Sequence, residues 1–189
     1  MALFGSPRKG GNTDILLEEF LWGCLEQGAS CERIRLCELQ VGGCRGCDGC
    51  AKTGRCVVED GMQAVYEALD RSDRIVMAAP IYFYNVPAQA KAVIDRTQAL
   101  WSRKYAREET EERSGVAPDR KGFFIGVGAT RGKRLFDGTL YTMRYFFDAI
   151  DAEYAGALVY GEVDRKGAIR DHPTAMGECY ESGLEFASM

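Results

Sequence analysis

Apolar and polar positions divide this chain into two kinds of stretch. Short, nearly continuous hydrophobic runs occur at Met1-Ala2-Leu3-Phe4, from Arg74 to Ala79, from Lys121 to Gly128 (with Phe123, Phe124, Ile125 and Val127) and from Tyr154 to Tyr160. Runs of this length fit parallel strands buried on both faces. Cys31 to Leu39 alternates instead, with Ile34 and Leu36 on one side, and predicts a fifth strand.

Between these runs the apolar residues recur at helical spacing. Asp14 to Gly28 carries Ile15, Leu16, Phe20 and Leu21 in one stripe, with Glu18, Glu19 and Glu26 left for water and Gly28 as a stop. Met62 to Arg71 repeats the pattern with Met62, Val65 and Leu69. A third helix starts after Pro87 and runs to about Leu100 or Trp101, with Ala90, Val93, Ile94 and Thr97 inward. Leu135 to Asp151 and Thr174 to Met189 complete the set. Ser102 to Arg120 breaks the pattern with charges of both signs, and is expected to be a solvated insertion, part helix and part lid or subunit arm. Strands alternating with helices predict an α/β fold: a doubly wound, five-stranded parallel sheet with helices on both faces. The expected organisation is one domain over residues 1–160, including a cysteine-rich loop at 41–60 and the charged insertion at 102–120, followed by a polar linker and closing helix over 161–189.

Ligands in such sheets bind beyond the carboxyl ends of the strands. Three stretches fall there. The first, Gly5-Ser6-Pro7-Arg8-Lys9-Gly10-Gly11-Asn12-Thr13, joins a strand to a helix N-terminus, where free amides and the helix dipole favour an anion. It contains neither G-x-G-x-x-G nor G-x-x-x-x-G-K-[ST], and its hydroxyls suit a terminal phosphate monoester. The second is the aromatic corner Pro80-Ile81-Tyr82-Phe83-Tyr84-Asn85, and the third begins Gly128-Ala129-Thr130. Together they describe a site for a flat ring with a phosphate tail. Its backbone amides near Asn85 or Ala129 are candidates to stabilise an anionic ring.

A formal net charge of −4 gives nucleic-acid binding no electrostatic support. No apolar run has the length of a membrane span, and the N-terminus passes directly into a strand-like run, so the expected location is cytoplasmic. Cysteine usage changes the picture more. Of eight cysteines, Cys44, Cys47, Cys50 and Cys56 crowd into thirteen positions. In a reducing compartment that crowding points to metal or redox chemistry. The spacing C-x2-C-x2-C-x5-C favours the four corners of a [4Fe–4S] cluster; zinc, a redox disulfide and metal-free thiols are the alternatives. Arg45, Lys52 and Arg55 against the single Asp48 leave this loop cationic, which would favour a reduced cluster. Cys24, Cys31 and Cys37 read as small buried hydrophobes, and His172 as a surface residue.

The Gly5-Ser6-Pro7-Arg8 loop with Gly11-Asn12-Thr13, the Pro80-Ile81-Tyr82 corner and the cysteine run resemble the iron–sulfur flavoprotein branch of the NAD(P)H-dependent FMN reductase family, which has a flavodoxin-like fold. The resemblance covers roughly residues 1–160. It implies FMN with its phosphate held by Ser6, Arg8, Asn12 and Thr13, and its ribityl chain and ring bordered by Pro80, Ile81, Tyr82, Phe83, Tyr84 and Asn85. Gly128, Ala129 and Thr130 would form a third wall. It further implies NAD(P)H as a candidate donor, a small-molecule or small redox-protein partner, and a homodimer or homotetramer. Metal-free reductases similar to this family carry comparable cysteine stretches as ordinary loops, so a metal-free flavin or quinone reductase and a non-catalytic electron carrier are the competing expectations.

Overall fold

The computed structural model describes residues 1–109 and 119–189. Five parallel strands, β1 (Ala2–Phe4), β2 (Arg33–Arg35), β3 (Arg74–Pro80), β4 (Lys121–Val127) and β5 (Glu153–Tyr160), form one sheet in the order β2-β1-β3-β4-β5. This is the flavodoxin-like doubly wound order, whose switch point lies between β1 and β3. Register is continuous across the centre: Phe4 pairs with Ala78, Ala78 with Ile125, and Ile125 with Leu158.

The strands' two-residue period divides their side chains between two cores. Leu3, Ile75, Met77, Ala79 and Phe124 face one side, where they meet helices α2 (Met62–Asp70), α3 (Ala88–Arg96) and α5 (Asp137–Ala149). Phe4, Val76, Ala78, Phe123 and Ile125 face the other, against α1 (Asn12–Glu26) and α6 (Ala175–Ser188). Strands buried on both faces cannot show polar alternation, which is why they read as continuous apolar runs.

Several expectations shift. The strand expected over 31–39 pairs only at Arg33–Arg35 and then tightens into a 3-10 turn at Leu36–Glu38. Cys24 is buried, but Cys31 and Cys37 are only half-buried. The helix expected to end near Trp101 breaks at Thr97 and resumes as α4 (Gln98–Glu109), which supplies the helical part expected of the charged stretch as far as Glu109. The lid or arm expected there extends over 110–118, which lie outside the described residues. His172 is half-buried: its ring packs edge-on against Tyr160 at 5.0 Å, and its Nδ1 accepts the Thr174 and Ala175 amides at 3.4 and 3.2 Å, capping α6.

Helices α1 and α6 approach so closely that each presents a glycine to the other's backbone. A methyl group on Gly183 would lie 2.0 Å from the Phe20 carbonyl oxygen, and one on Gly23 would lie 2.2 Å from that of Tyr180. The Cys24 thiol donates to the Gly183 carbonyl at 3.3 Å across the same contact. Alanine would gain about 1 kcal/mol of helix propensity at Gly183. The clash is with backbone, which cannot rotate away, and overpacking costs about 1–3 kcal/mol or more. Gly183→Ala is therefore expected to lower stability by about 2 kcal/mol, read as a fall in the urea midpoint at unchanged m-value.

Candidate functional site

The first loop takes its shape from hydrogen bonds that leave the start of α1 bare. Gly5 donates to the Ala78 carbonyl at 2.8 Å, carrying the sheet pairing one residue past β1. Ser6 is buried, and its Oγ accepts the Arg8 amide at 3.1 Å. The Gly10 amide donates to Asp14 Oδ2 at 2.8 Å, and the same oxygen accepts from Arg35 Nη1 at 2.8 Å. Gly11 then caps the helix with no side chain to offer, and the first intrahelical bond runs from the Ile15 amide to its carbonyl at 3.0 Å. The amides of Asn12, Thr13 and Asp14 thus lie ahead of the helical ladder, at the positive end of the dipole. A Cβ on Gly11 would come 3.0 Å from the Arg8 carbonyl, so a side chain there would fill the turn. Lys9 is paired with Glu38, whereas Arg8 is exposed and has no carboxylate partner among the described residues.

These groups open onto a pocket of about 100 Å³ at the carboxyl edge of the sheet. Ser6, Arg8, Asn12, Thr13, Pro80, Ile81, Tyr82 and Ala129 all line it, together with Gly11, Val127, Val163 and Asp164. A cavity of about 290 Å³ around Met1, Cys24 and Arg74 is larger, but it lies at the opposite, amino-terminal edge, where ligands of such sheets do not bind.

Asn12 lines the pocket, yet its side-chain amide is occupied elsewhere. Nδ2 donates to the Arg165 carbonyl at 2.9 Å, and Oδ1 accepts the Gly167 amide at 2.8 Å. Asn12 therefore holds the 161–171 linker against the loop and offers its backbone N–H to the pocket. That linker supplies Val163 and Asp164, which sequence reasoning treated as plain polar connection. Val163 with Ala168 and Ile169, apolar residues in an otherwise polar stretch, was the available signal.

The aromatic corner is a tight turn. Tyr82 and Asn85 exchange backbone bonds of 2.7 and 3.0 Å, and the two residues between them, Phe83 and Tyr84, hold φ of 50° and 63°. Such turns ordinarily use Asn-Gly, because bulky side chains resist that region. Here the strain is held by α5: the Tyr84 carbonyl accepts the Thr139 hydroxyl at 3.1 Å, and Asn85 Nδ2 donates to Thr142 Oγ1 at 3.2 Å. The result exposes the Phe83 ring completely and Tyr84 by 62%. Neither they nor Asn85 line the pocket itself; they stand at its rim beside Tyr82. The Asn85 amide is used in the turn and cannot serve a ring. The Ala129 amide has no partner among the described residues and remains free to do so. Gly128 and Thr130 form the third wall through backbone bonds: Gly128 donates to Tyr160 at 2.8 Å and accepts from Val163 at 3.1 Å, and Thr130 accepts from Glu162 at 3.4 Å.

The cysteine loop lies at the far end of α3. Cys44 and Cys47 are exposed, and Cys50 and Cys56 half-buried. Among the described residues no three cysteine, histidine or acidic side chains converge as a metal site. The second half of the loop is fixed: Gly54, with φ of 63°, lies so close to α4 that a Cβ would sit 2.6 Å from that of Arg103. Ser102 Oγ donates to Cys50 Sγ at 3.9 Å. At the loop's base, Arg96, only 1% exposed, donates through Nη1 to the Gly42 carbonyl at 3.0 Å and to Asp60 Oδ2 at 2.8 Å. Its Nη2 donates to the Val58 carbonyl at 2.9 Å and to Asp60 Oδ1 at 3.3 Å. Burial alone would raise the Asp60 carboxyl, but the hydrogen bonds from Arg96 and from the Met62 and Gly42 amides hold it below the ordinary range. Burial works against charge on Arg96 as well, and the bond to Asp60 with the neighbouring Cys56, Asp60 and Tyr66 charges outweighs it and raises its pKa. Both partners therefore stay ionised at neutral pH. Sequence reasoning missed this pair. The signal available was Arg96 three residues after Val93, on the helix's apolar stripe.

The family model for NADPH-dependent FMN reductases matches residues 1–153. The chain belongs to that family, whose members are flavin-dependent oxidoreductases. It is 29% identical over 169 residues to an iron-sulfur flavoprotein of Methanosarcina thermophila, an alignment covering 89% of this chain and 80% of that protein. It is 34% identical over 100 residues to an iron-sulfur flavoprotein of Methanocaldococcus jannaschii, covering 53% of this chain and 52% of the relative, so that match spans about half of either protein. In fold it is similar to an NAD(P)H:quinone oxidoreductase from Methanothermobacter marburgensis, with a TM-score of 0.71 at 18% identity over 97% of this chain and 95% of that one.

In this member of the family the corner between β3 and α3 stores backbone strain beside the pocket, about 1–3 kcal/mol for each residue so held. Replacing Phe83-Tyr84 by Asn-Gly is expected to raise the unfolding free energy by about 2 kcal/mol or more, read as a higher urea midpoint at unchanged m-value, because the turn keeps its geometry and loses its strain.

Proposed function

We propose that the pocket at the carboxyl edge holds FMN, and that the chain moves electrons between a two-electron donor, with NAD(P)H as the candidate, and a one-electron acceptor. The observation that carries this reading is the bare start of α1: amides, the Ser6 and Thr13 hydroxyls and the unpaired Arg8 guanidinium all border one pocket. A helix terminus presents roughly half a positive charge, and a phosphate monoester answers it. The residues fit the cofactor's tail, since Gly11 leaves open the space that a side chain would take. When bound, FMN supplies the hydride and single-electron chemistry. The chain's own part is placement. Arg8 and the α1 amides anchor the phosphate, Pro80, Ile81 and Tyr82 form a flat wall, Phe83 and Tyr84 shield the rim, and the free Ala129 amide offers a donor to the ring.

Cys44, Cys47, Cys50 and Cys56 are proposed to hold a [4Fe–4S] cluster, which would supply one-electron transfer. Support comes from the donor set, from a loop closed at both ends, and from the names of the iron-sulfur flavoproteins that the chain matches. Loading requires the exposed segment with Cys44 and Cys47 to close onto Cys50 and Cys56. The separation of these thiols favours, as a second reading, a metal-free NAD(P)H-dependent flavin or quinone reductase. Among the described residues no helix is long and apolar enough to cross a membrane. Trp101, tilted against Tyr105 with ring centroids 4.3 Å apart, and the exposed Tyr141 and Tyr145 give an exposed aromatic face, on which a homodimer or homotetramer is proposed to assemble.

Two measurements test this reading. Arg8→Ala should weaken FMN binding about ten- to a hundredfold, the equivalent of one charge-assisted contact of about 1.5–3 kcal/mol, and leave riboflavin binding unchanged because riboflavin lacks the phosphate. Equal losses for both ligands in fluorescence titrations would reject the phosphate assignment. Iron and sulfide analysis of anaerobically purified protein should find a cluster that Cys47→Ser abolishes while FMN stays bound. Iron content that does not respond to Cys47→Ser would remove the ligand assignment.

A further inference from the structure

We infer that Arg96 is the positioning residue of the cysteine loop: its single guanidinium closes the loop's base before any metal arrives and sets how far Cys50 and Cys56 are withdrawn from solvent. Two carbonyls separated by sixteen positions in sequence, those of Gly42 and Val58, meet on one fork at 3.0 and 2.9 Å. They lie two residues outside Cys44 and Cys56, so the fork fixes the span between the first and last thiols. Asp60 completes the closure by accepting both the Arg96 fork and the Gly42 amide at 3.0 Å. The Arg96 carbonyl in turn accepts the Tyr66 hydroxyl at 2.6 Å, and Tyr66 shares a cavity lining with Cys56.

Burial makes this arrangement specific. The guanidinium is 1% exposed and its Nε has no hydrogen-bond partner among the described residues. A buried, incompletely satisfied cation is unfavourable unless its geometry is needed. Lysine would keep the charge but carries no planar fork, so it cannot hold two carbonyls and a bidentate carboxylate at once. Closing the loop's base in advance also removes the part of the ordering entropy that belongs to bringing Gly42 and Val58 together. That purpose rests on the proposed cluster; the clamp's geometry does not.

The test uses the full chain in metal-free form. A brief iodoacetamide pulse read by mass spectrometry reports each thiol separately. Cys44 and Cys47 are already exposed and serve as fast references. Cys24 and Cys179, whose pKa values burial pushes up to about 11 and about 12, serve as slow ones. Arg96→Lys is expected to speed modification of Cys50 and Cys56 by about tenfold or more, with Cys24 and Cys179 unchanged, because only the loop opens. Asp60→Asn, which keeps the side chain's size, should loosen the same two thiols if the lysine variant does not fold. Rates at Cys50 and Cys56 within about twofold of wild type, or an equal acceleration of Cys24 and Cys179, would overturn the inference. After reconstitution with iron and sulfide, Arg96→Lys should lose iron to a chelator about 10–100-fold more readily. Equal retention by wild type and variant would remove Arg96 from this role while leaving the cluster intact. Wild-type protein that holds no iron, with the thiol pattern as expected, would instead remove the cluster and leave the clamp standing.

Discussion

Three amides at the start of α1 stand ahead of its hydrogen-bond ladder, as in any helix, and stay uncapped because Gly11, the residue at the cap, has no side chain. The polar side chains that might have satisfied them are engaged in shaping the loop. Ser6 receives the Arg8 amide, Asp14 binds Gly10 and Arg35, and Asn12 holds the linker. Satisfying a helix terminus from within would stabilise the empty protein and close the pocket. Left open, the terminus presents three amides and the positive end of the helix dipole to the pocket.

Helix α3 joins the two regions of interest. It begins after the strained aromatic turn, and its Ala90 packs close to where a Cβ on Gly5 would lie, at 3.4 Å. It ends at Arg96, the buried fork beneath the cysteine loop. Nine residues at the usual helical rise make a rigid spacer of about 13 Å. The helix supplies no residue to the pocket lining; it connects the corner at the pocket rim to the Arg96 fork beneath the cysteine loop.

The two regions handle local cost differently. At the aromatic corner, backbone strain is held by hydrogen bonds from Thr139 and Asn85 and leaves apolar rings standing in water. At the cysteine loop, a buried arginine paired with the half-buried Asp60 holds the chain's path while two of the four thiols stay exposed. Both are places where local preference loses to surrounding structure.

The sequence by itself determined the architecture. Continuous apolar runs specified buried parallel strands, helical periodicity specified the elements between them, and alternation of the two left room for little but a doubly wound sheet. It also placed three loops at one edge and singled out Ser6, Arg8, Thr13, Tyr82 and Ala129, because loop chemistry depends on neighbours close in the chain. Tertiary structure alone decided what depends on distant partners. It turned Asn12 from a phosphate donor into a linker brace, used up the Asn85 amide in a turn, brought Val163 and Asp164 to the pocket and buried Arg96 against Asp60. Hydrogen-bonding capacity is a property of residue type and is legible in sequence. Which partner takes it up is settled only when remote segments compete for the same group in space.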